Sequence, residues 1–209
     1  MRREATARAW FVLATFPVAA LLFANAFVFS RREFWIAMAS GVLVLAMLAA
    51  IIRGTALYRD RADGIDVLIG VSSFVALYAI FWVGDKLVRL IRPASGGEIS
   101  AIYDLRSQAP LALIGVLLVF VIGPGEELYW RGLVNWALIT RFGEGASVLA
   151  GTALYGAVHL VTGNPSIILA AVVAGFVWSM LYALRRRLFP VIVSHVLFDL
   201  FLFVLAPVG

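Results

Sequence analysis

The chain has 209 residues, 63% of them hydrophobic, with 17 Lys and Arg against 12 Asp and Glu, two His and no Cys. An apolar share so far above the roughly 45 to 50% of soluble domains excludes a soluble globular protein, and the recurring apolar runs leave no room for separate soluble domains. The missing cysteines exclude disulfide and thiolate chemistry, and the basic residues, all arginine except Lys86, cluster in short groups at helix ends as topology signals do, which sets nucleic-acid binding aside.

Taken in chain order, the first apolar run extends from about Ala9 to Phe29 behind Arg2, Arg3 and Arg8. Small residues at Ala24 and Ala26 resemble a signal-peptide cleavage site. The run continues through Phe27, Val28 and Phe29, however, and is long enough for a full span, so an uncleaved first helix is expected. A polar turn at residues 30 to 33 leads into helix two, Phe34 to Ile52. After the break at residues 53 to 64, helix three covers about Ile65 to Val83. Asp85, Lys86, Arg89 and Arg92 then alternate with Leu87, Val88, Leu90 and Ile91 in the pattern of an interfacial amphipathic helix.

Residues 93 to 108 form the longest polar stretch, and Pro110 opens a fourth apolar run reaching about Ile139, longer than one crossing requires. Gly123, Pro124 and Gly125 in its middle predict a kink or break immediately before Glu126. Helices at about residues 146 to 161, 166 to 184 and 190 to 205 follow. The reading is all-α: a polytopic transmembrane helical bundle of about seven spans plus the interfacial helix. It is a single membrane domain over 1–209, with N-terminal helices and the interfacial segment in 1–108 and the motif-bearing helices in 109–209.

Counting basic residues on alternate sides gives Arg2, Arg3, Arg8, Arg53, Arg59, Arg61, Arg141, Arg185, Arg186 and Arg187 against Arg31, Arg32, Lys86, Arg89, Arg92 and Arg106. Ten against six places the N-terminus in the cytoplasm, in a membrane expected to be the bacterial inner membrane.

Three polar constellations interrupt the apolar runs of the C-terminal half. In GPGEELYWRGL, residues 123 to 133, Glu127 and Arg131 stand i, i+4 in the favourable order for an ion pair. Glu126 points about 100° away and is left to face a cavity. ALYGAVHLV sets Tyr155 and His159 on one helix face, and VSHVLFDLF does the same for His195 and Asp199. Singly, each has a plain explanation: a structural ion pair, a histidine satisfied between helices, an aromatic that packs. Jointly, ionisable groups costing about 3 kcal/mol each at membrane depth are best explained by convergence on a water-filled pocket.

A carboxylate in such a pocket suits Glu126 to general-base activation of water, with His159 holding or polarising that water. His195 then stabilises the oxyanion on a carbonyl, which is peptide hydrolysis with no nucleophilic side chain. Zinc is the main variant, since two histidines and a carboxylate make a hydrolytic ligand set, although an HExxH helix is absent. GVSS at residues 70 to 73 does not supply the GxSG of a rhomboid-type serine enzyme. Tyr103-Asp104 lies in the polar segment, and GPGE carries glutamate where an aspartyl enzyme would carry aspartate.

EELYWR, YGAVH and HVLFD, in that order over roughly residues 120 to 203, resemble the EExxxR, FxxxH and HxxxN/D motifs of the CPBP family. These are the CAAX-processing and bacteriocin-immunity intramembrane proteases related to the Rce1-type prenyl-protein peptidase. The resemblance implies an all-helical intramembrane endopeptidase in which Glu126 activates water and His159 assists. Glu127 and Arg131 support the site, and His195 with Asp199 stabilises the oxyanion. The family has been described both as metalloproteases and as glutamate-dependent enzymes without metal; this sequence favours the second, with no cofactor. Tyr155 departs from phenylalanine and adds a hydroxyl within reach of the site. Asp199 stands where asparagine is common, and because an ionised aspartate only accepts hydrogen bonds, it is either neutral or serves to orient His195.

The expected partners are a protein or peptide substrate within the membrane and the lipid bilayer itself. Two other classes compete: a proton-coupled transporter with a Glu and His relay, which predicts broken helices in corresponding positions of two halves, and a non-catalytic scaffold or immunity protein.

Overall fold

The computed structural model describes residues 10–58, 62–93 and 95–208. Arg2, Arg3, Arg8, Arg59 and Arg61, which enter the orientation argument, and Ala9 at the start of the first expected helix lie outside the described residues. The described chain is helical: α1 (Trp10–Phe29), α2 (Phe34–Arg53), α3 (Gly64–Ile91), α4 (Ser95–Tyr103), α5 (Leu111–Phe142), α6 (Glu144–Thr162), α7 (Pro165–Arg185) and α8 (Phe189–Leu205). Six of these segments, α1 to α3 and α5 to α7, are long and apolar enough to cross a membrane, and α8 is a shorter apolar helix. The chain is a multi-pass integral membrane protein. Its outward faces agree, since Ile51, Phe120, Leu149 and Leu184 stand well exposed where an aqueous surface would penalise them.

Local signals set the helix ends. Asp63 caps α3 by accepting from the Asp66 amide at 2.9 Å while the Asp66 side chain accepts from the Asp63 amide, a reciprocal capping box. Asn164 caps α7 by accepting from the Ser166 and Ile167 amides, with Pro165 in the first turn where its missing N–H costs nothing. α5 stops at Gly143, whose φ of 86° no β-carbon would tolerate well.

The bundle is built on three extensively packed pairs, α6 with α7, α3 with α8 and α2 with α5. Each pair meets at a glycine. A β-carbon at Gly175 would meet the Tyr155 ring, one at Gly70 would meet the Pro190 carbonyl and Val193, and one at Gly125 would overlap Val42. Lipid tails are as apolar as leucine, so close backbone approach and interhelical hydrogen bonds, rather than escape from water, hold such pairs together.

Two expectations change. α5 does not break before Glu126: it stays helical from Leu111 to Phe142, with wide π turns at Leu118–Ile122 and Trp130–Asn135 flanking Gly123–Tyr129. Pro124 has no N–H to give and its ring crowds the preceding turn, and a π turn placed there widens the helix enough to absorb it. The glycines beside it serve packing, because a β-carbon at Gly123 would lie 2.8 Å from Val196 Cγ2 on α8. The amphipathic residues Asp85 to Ile91 are the last two turns of α3, continuous with the span, and α4 follows as a separate short helix. α4 is latched to α7 through Glu98, which accepts from the Ser166 hydroxyl at 2.7 Å and, by its carbonyl, from Asn164 Nδ2 at 2.9 Å.

Candidate active site

Glu126 and Glu127 sit mid-way along α5, enclosed by the close approach of α2 and α8, and are 3% and 0% exposed. One residue of helical turn sends them to different neighbours. Glu127 Oε1 accepts from Arg131 Nη1 at 2.8 Å on its own helix and is 2.6 Å from His195 Nδ1 on α8. Arg131 in turn donates from Nη2 to the Gly175 carbonyl on α7 at 3.3 Å, and its guanidinium lies over the rings of Tyr155 and Trp178. This buried pair thereby ties α5 to α7 and α8, while Arg131 Nε and Glu127 Oε2 are buried with no hydrogen-bond partner among the described residues and the guanidinium's remaining contacts are with the two π-faces.

Glu126 turns to α6, where the Tyr155 hydroxyl donates to Oε2 at 2.9 Å. One turn later, His159 Nδ1 lies 2.8 Å from the Tyr155 carbonyl. A carbonyl can only accept, so Nδ1 carries the hydrogen and the lone pair is on Nε2. The imidazole is walled by aromatic rings, Phe23 and Phe27 of α1 at centroid distances of 5.2 and 5.8 Å and Tyr155 at 4.9 Å.

On α8, His195 Nε2 is 3.2 Å from Asp199 Oδ2, so both ring nitrogens face carboxylates. A neutral imidazole has only one N–H. Both contacts are hydrogen bonds only when the ring carries two protons or one of the carboxyls holds one. The indole of Trp178 stacks on the same ring, 3.8 Å between centroids and 19° from parallel.

Glu126, Tyr155, His159, His195 and Asp199 all line one cavity of about 150 Å³, while Glu127 and Arg131 stand behind its wall. The structure thus brings every residue singled out in the three sequence constellations to one place, in two layers. A neighbouring cavity of about 170 Å³ between α3, α4 and α7 shares Phe81 and Ile102 with it, but its one carboxylate, Asp85, is engaged by Arg89 at 2.7 Å.

The opposite wall was not legible as part of a site. The motif-bearing helices are all in residues 109–209, yet Phe27 of α1 and Phe34, Trp35 and Met38 of α2 line the cavity. Trp35 is fixed there by donating from Nε1 to the Leu105 carbonyl at 2.8 Å. The signal was present as an aromatic cluster, Phe23, Phe27, Phe34 and Trp35, spread across a predicted turn. Trp178 carried no comparable signal, being one large apolar residue on an apolar helix.

The residues do not fit zinc. Among the described residues no three His, Asp or Glu side chains gather as ligands for one ion. His195 commits both nitrogens to carboxylates, which leaves His159 Nε2 as the one free imidazole nitrogen in the cavity, whereas a zinc site needs neutral imidazoles and three protein ligands aimed at one point. What the arrangement offers instead is a carboxylate with one donor, an imidazole with a free lone pair and a cationic or proton-sharing His–carboxylate bridge around a small enclosed volume.

Comparison with known proteins bears on the same stretch. Residues 108–201 match the family model described as Type II CAAX prenyl endopeptidase Rce1-like. No curated protein and no solved structure matches the chain. The matched residues begin just before α5 and end within α8, and so contain all three constellations; residues 108–201 are a domain of the Rce1-like CAAX prenyl endopeptidase family.

Proposed function

We propose that the chain is an intramembrane endopeptidase that hydrolyses a peptide bond near a membrane-embedded or C-terminal segment of its substrate, using a water activated by Glu126. The observation that carries this reading is the convergence of Glu126, His159, His195 and Asp199 on one cavity within apolar spans. Glu126 takes a proton from water as the hydroxide adds to the scissile carbonyl carbon, and His159 Nε2 orients that water. The Nε2–H of His195, whose contact to Asp199 is the longer of its two at 3.2 Å, turns to the developing oxyanion. Collapse of the tetrahedral intermediate breaks the C–N bond, and the proton on Glu126 passes to the leaving amine. Glu127 and Arg131 hold His195 and the helices in register. The single membrane unit divides by role, residues 1–108 supplying the aromatic wall and the α4 segment and residues 109–209 the reacting groups.

The test compares wild type with Glu126→Gln in native membranes, reading protein termini by mass spectrometry. Termini present with wild type and lost with Glu126→Gln are expected, and they identify the substrate. Unchanged termini with the variant correctly inserted would overturn the peptidase and favour transport or a scaffold role.

A further inference from the structure

We propose that Trp178 is a positioning residue for His195. The imidazole is gripped at its edges by Glu127 and Asp199, at 2.6 and 3.2 Å. Edge contacts alone leave the ring free to tilt about the line joining the two carboxylates. The indole closes that freedom by lying almost flat on the imidazole face. Its own pose is fixed, since Trp178 Nε1 donates to Ser194 Oγ at 3.2 Å and Ser194 Oγ donates to Ser73 Oγ at 3.1 Å on α3. Trp178 is 2% exposed and Ser194 0% exposed, so neither group has water as an alternative partner.

The indole also has an electronic effect. A π-face stabilises a cation placed over it, and Trp178 faces Arg131 at 5.3 Å as well as the imidazole. It therefore favours the form of His195 that donates from both nitrogens, the form in which both carboxylate contacts are hydrogen bonds. Trp178 also lines the cavity, but in this scheme it acts through His195, and the KM readout below separates that role from contact with substrate. The kinetic part of the test rests on the peptidase reading, and the spectroscopic part does not.

The chain has only two histidines, so protein labelled with heavy nitrogen at histidine gives two sets of ring signals in nuclear magnetic resonance, assigned by a His159→Gln variant. Wild type, Trp178→Phe, Trp178→Leu and Ser194→Ala are compared in lipid nanodiscs. The expected result is two protonated nitrogens on His195 in wild type. Exchange of those protons with water should quicken about tenfold in Trp178→Leu and stay within about threefold in Trp178→Phe, which keeps a flat ring. The His159 signals serve as the control for general loosening. On a substrate identified from its termini, turnover should fall in the same order with KM unchanged, whereas a substrate-binding tryptophan would raise KM. His195 signals and exchange identical in folded Trp178→Leu and wild type would overturn the proposal. Should Trp178→Leu fail to fold, Ser194→Ala decides, because freeing the indole must move the His195 signals if the indole positions the ring.

Discussion

Glu126 and Glu127 are adjacent in the chain and share no partner: one accepts from Tyr155 on α6, the other joins Arg131 of α5 to His195 of α8. A helix turns successive residues by about 100°, so a pair of neighbouring carboxylates is a device for serving two sides of one helix. One side is a cavity wall. The other is the interior of the bundle, where an ion pair is retained only if both members stay satisfied.

The two glutamates should accordingly separate stability from turnover. Glu127→Gln leaves the Arg131 guanidinium without its anion in a fully enclosed place and is expected to cost about 3 to 5 kcal/mol. Glu126→Gln keeps an acceptor for the Tyr155 hydroxyl and should change stability by no more than about 1 kcal/mol. Turnover should nevertheless drop by about a hundredfold or more in Glu126→Gln. Thermal unfolding of the two solubilised variants checks the ranking, and a less stable Glu126→Gln would contradict this division of labour.

Tyr155→Phe removes the hydroxyl that donates to Glu126 and keeps the ring that packs on Gly175, Trp130 and His159. The variant should fold with wild-type stability to within about 1 kcal/mol, since one neutral donor is lost at the edge of a cavity. Its turnover should fall by no more than about tenfold, the worth of a single hydrogen bond to the base. A complete loss of turnover in the folded variant would mean that the hydroxyl itself takes part in proton transfer.

How much of this could be read from residues alone follows the distance along the chain. Pairs within one helix were legible from i, i+4 spacing: Glu127 with Arg131, and His195 with Asp199, are in contact as expected. Tyr155 and His159 do share a face, but their polar link runs through the Tyr155 carbonyl rather than its side chain. The links between helices were not legible, because Glu127 with His195 and Tyr155 with Glu126 depend on how α5, α6 and α8 are rotated against each other. That rotation is set by close contacts at Gly123, Gly125 and Gly175; in sequence the first two read as a kink or break before Glu126, and Gly175 carries no signal. The aromatic wall from α1 and α2 was missed for the same reason: hydropathy places a helix in the membrane and leaves its facing undetermined.

The packing role of Gly125 can be tested directly. A β-carbon there would overlap Val42 Cγ1 across the α2–α5 contact, and overpacking a tight interface costs about 1 to 3 kcal/mol. Gly125→Ala should therefore lower the unfolding temperature, and Val42→Ala in the same chain should restore most of the loss, as residues in contact couple non-additively. If Val42→Ala fails to compensate, the glycine is needed for its backbone freedom beside Pro124 instead.

A last prediction concerns the aqueous end of the bundle, where α3 is clamped to the α7–α8 connection. Asp63 accepts from the Asp66 amide at 2.9 Å and from Arg187 Nη1 at 2.8 Å, and Arg187 also reaches Asp66 Oδ2 at 2.7 Å. The amide first, and the guanidinium second, hold the Asp63 carboxyl below its ordinary value of 3.8. A carboxyl with a lowered folded-state pKa stabilises the fold above its unfolded pKa, and that contribution disappears as pH falls through the folded value. Asp63→Asn retains a capping acceptor but removes the charge. At neutral pH wild type should unfold at a higher temperature than Asp63→Asn, and the difference should shrink as pH falls below about 4. Arg187→Gln should narrow the difference at neutral pH, where Asp63 is ionised, because part of what lowers the Asp63 pKa is the guanidinium. The check is a series of unfolding temperatures for wild type, the two single variants and the double variant from about pH 7 down to about pH 3. A gap that stays constant through the acid range would show that Asp63 acts by its capping geometry alone, and that its charge adds nothing to the clamp.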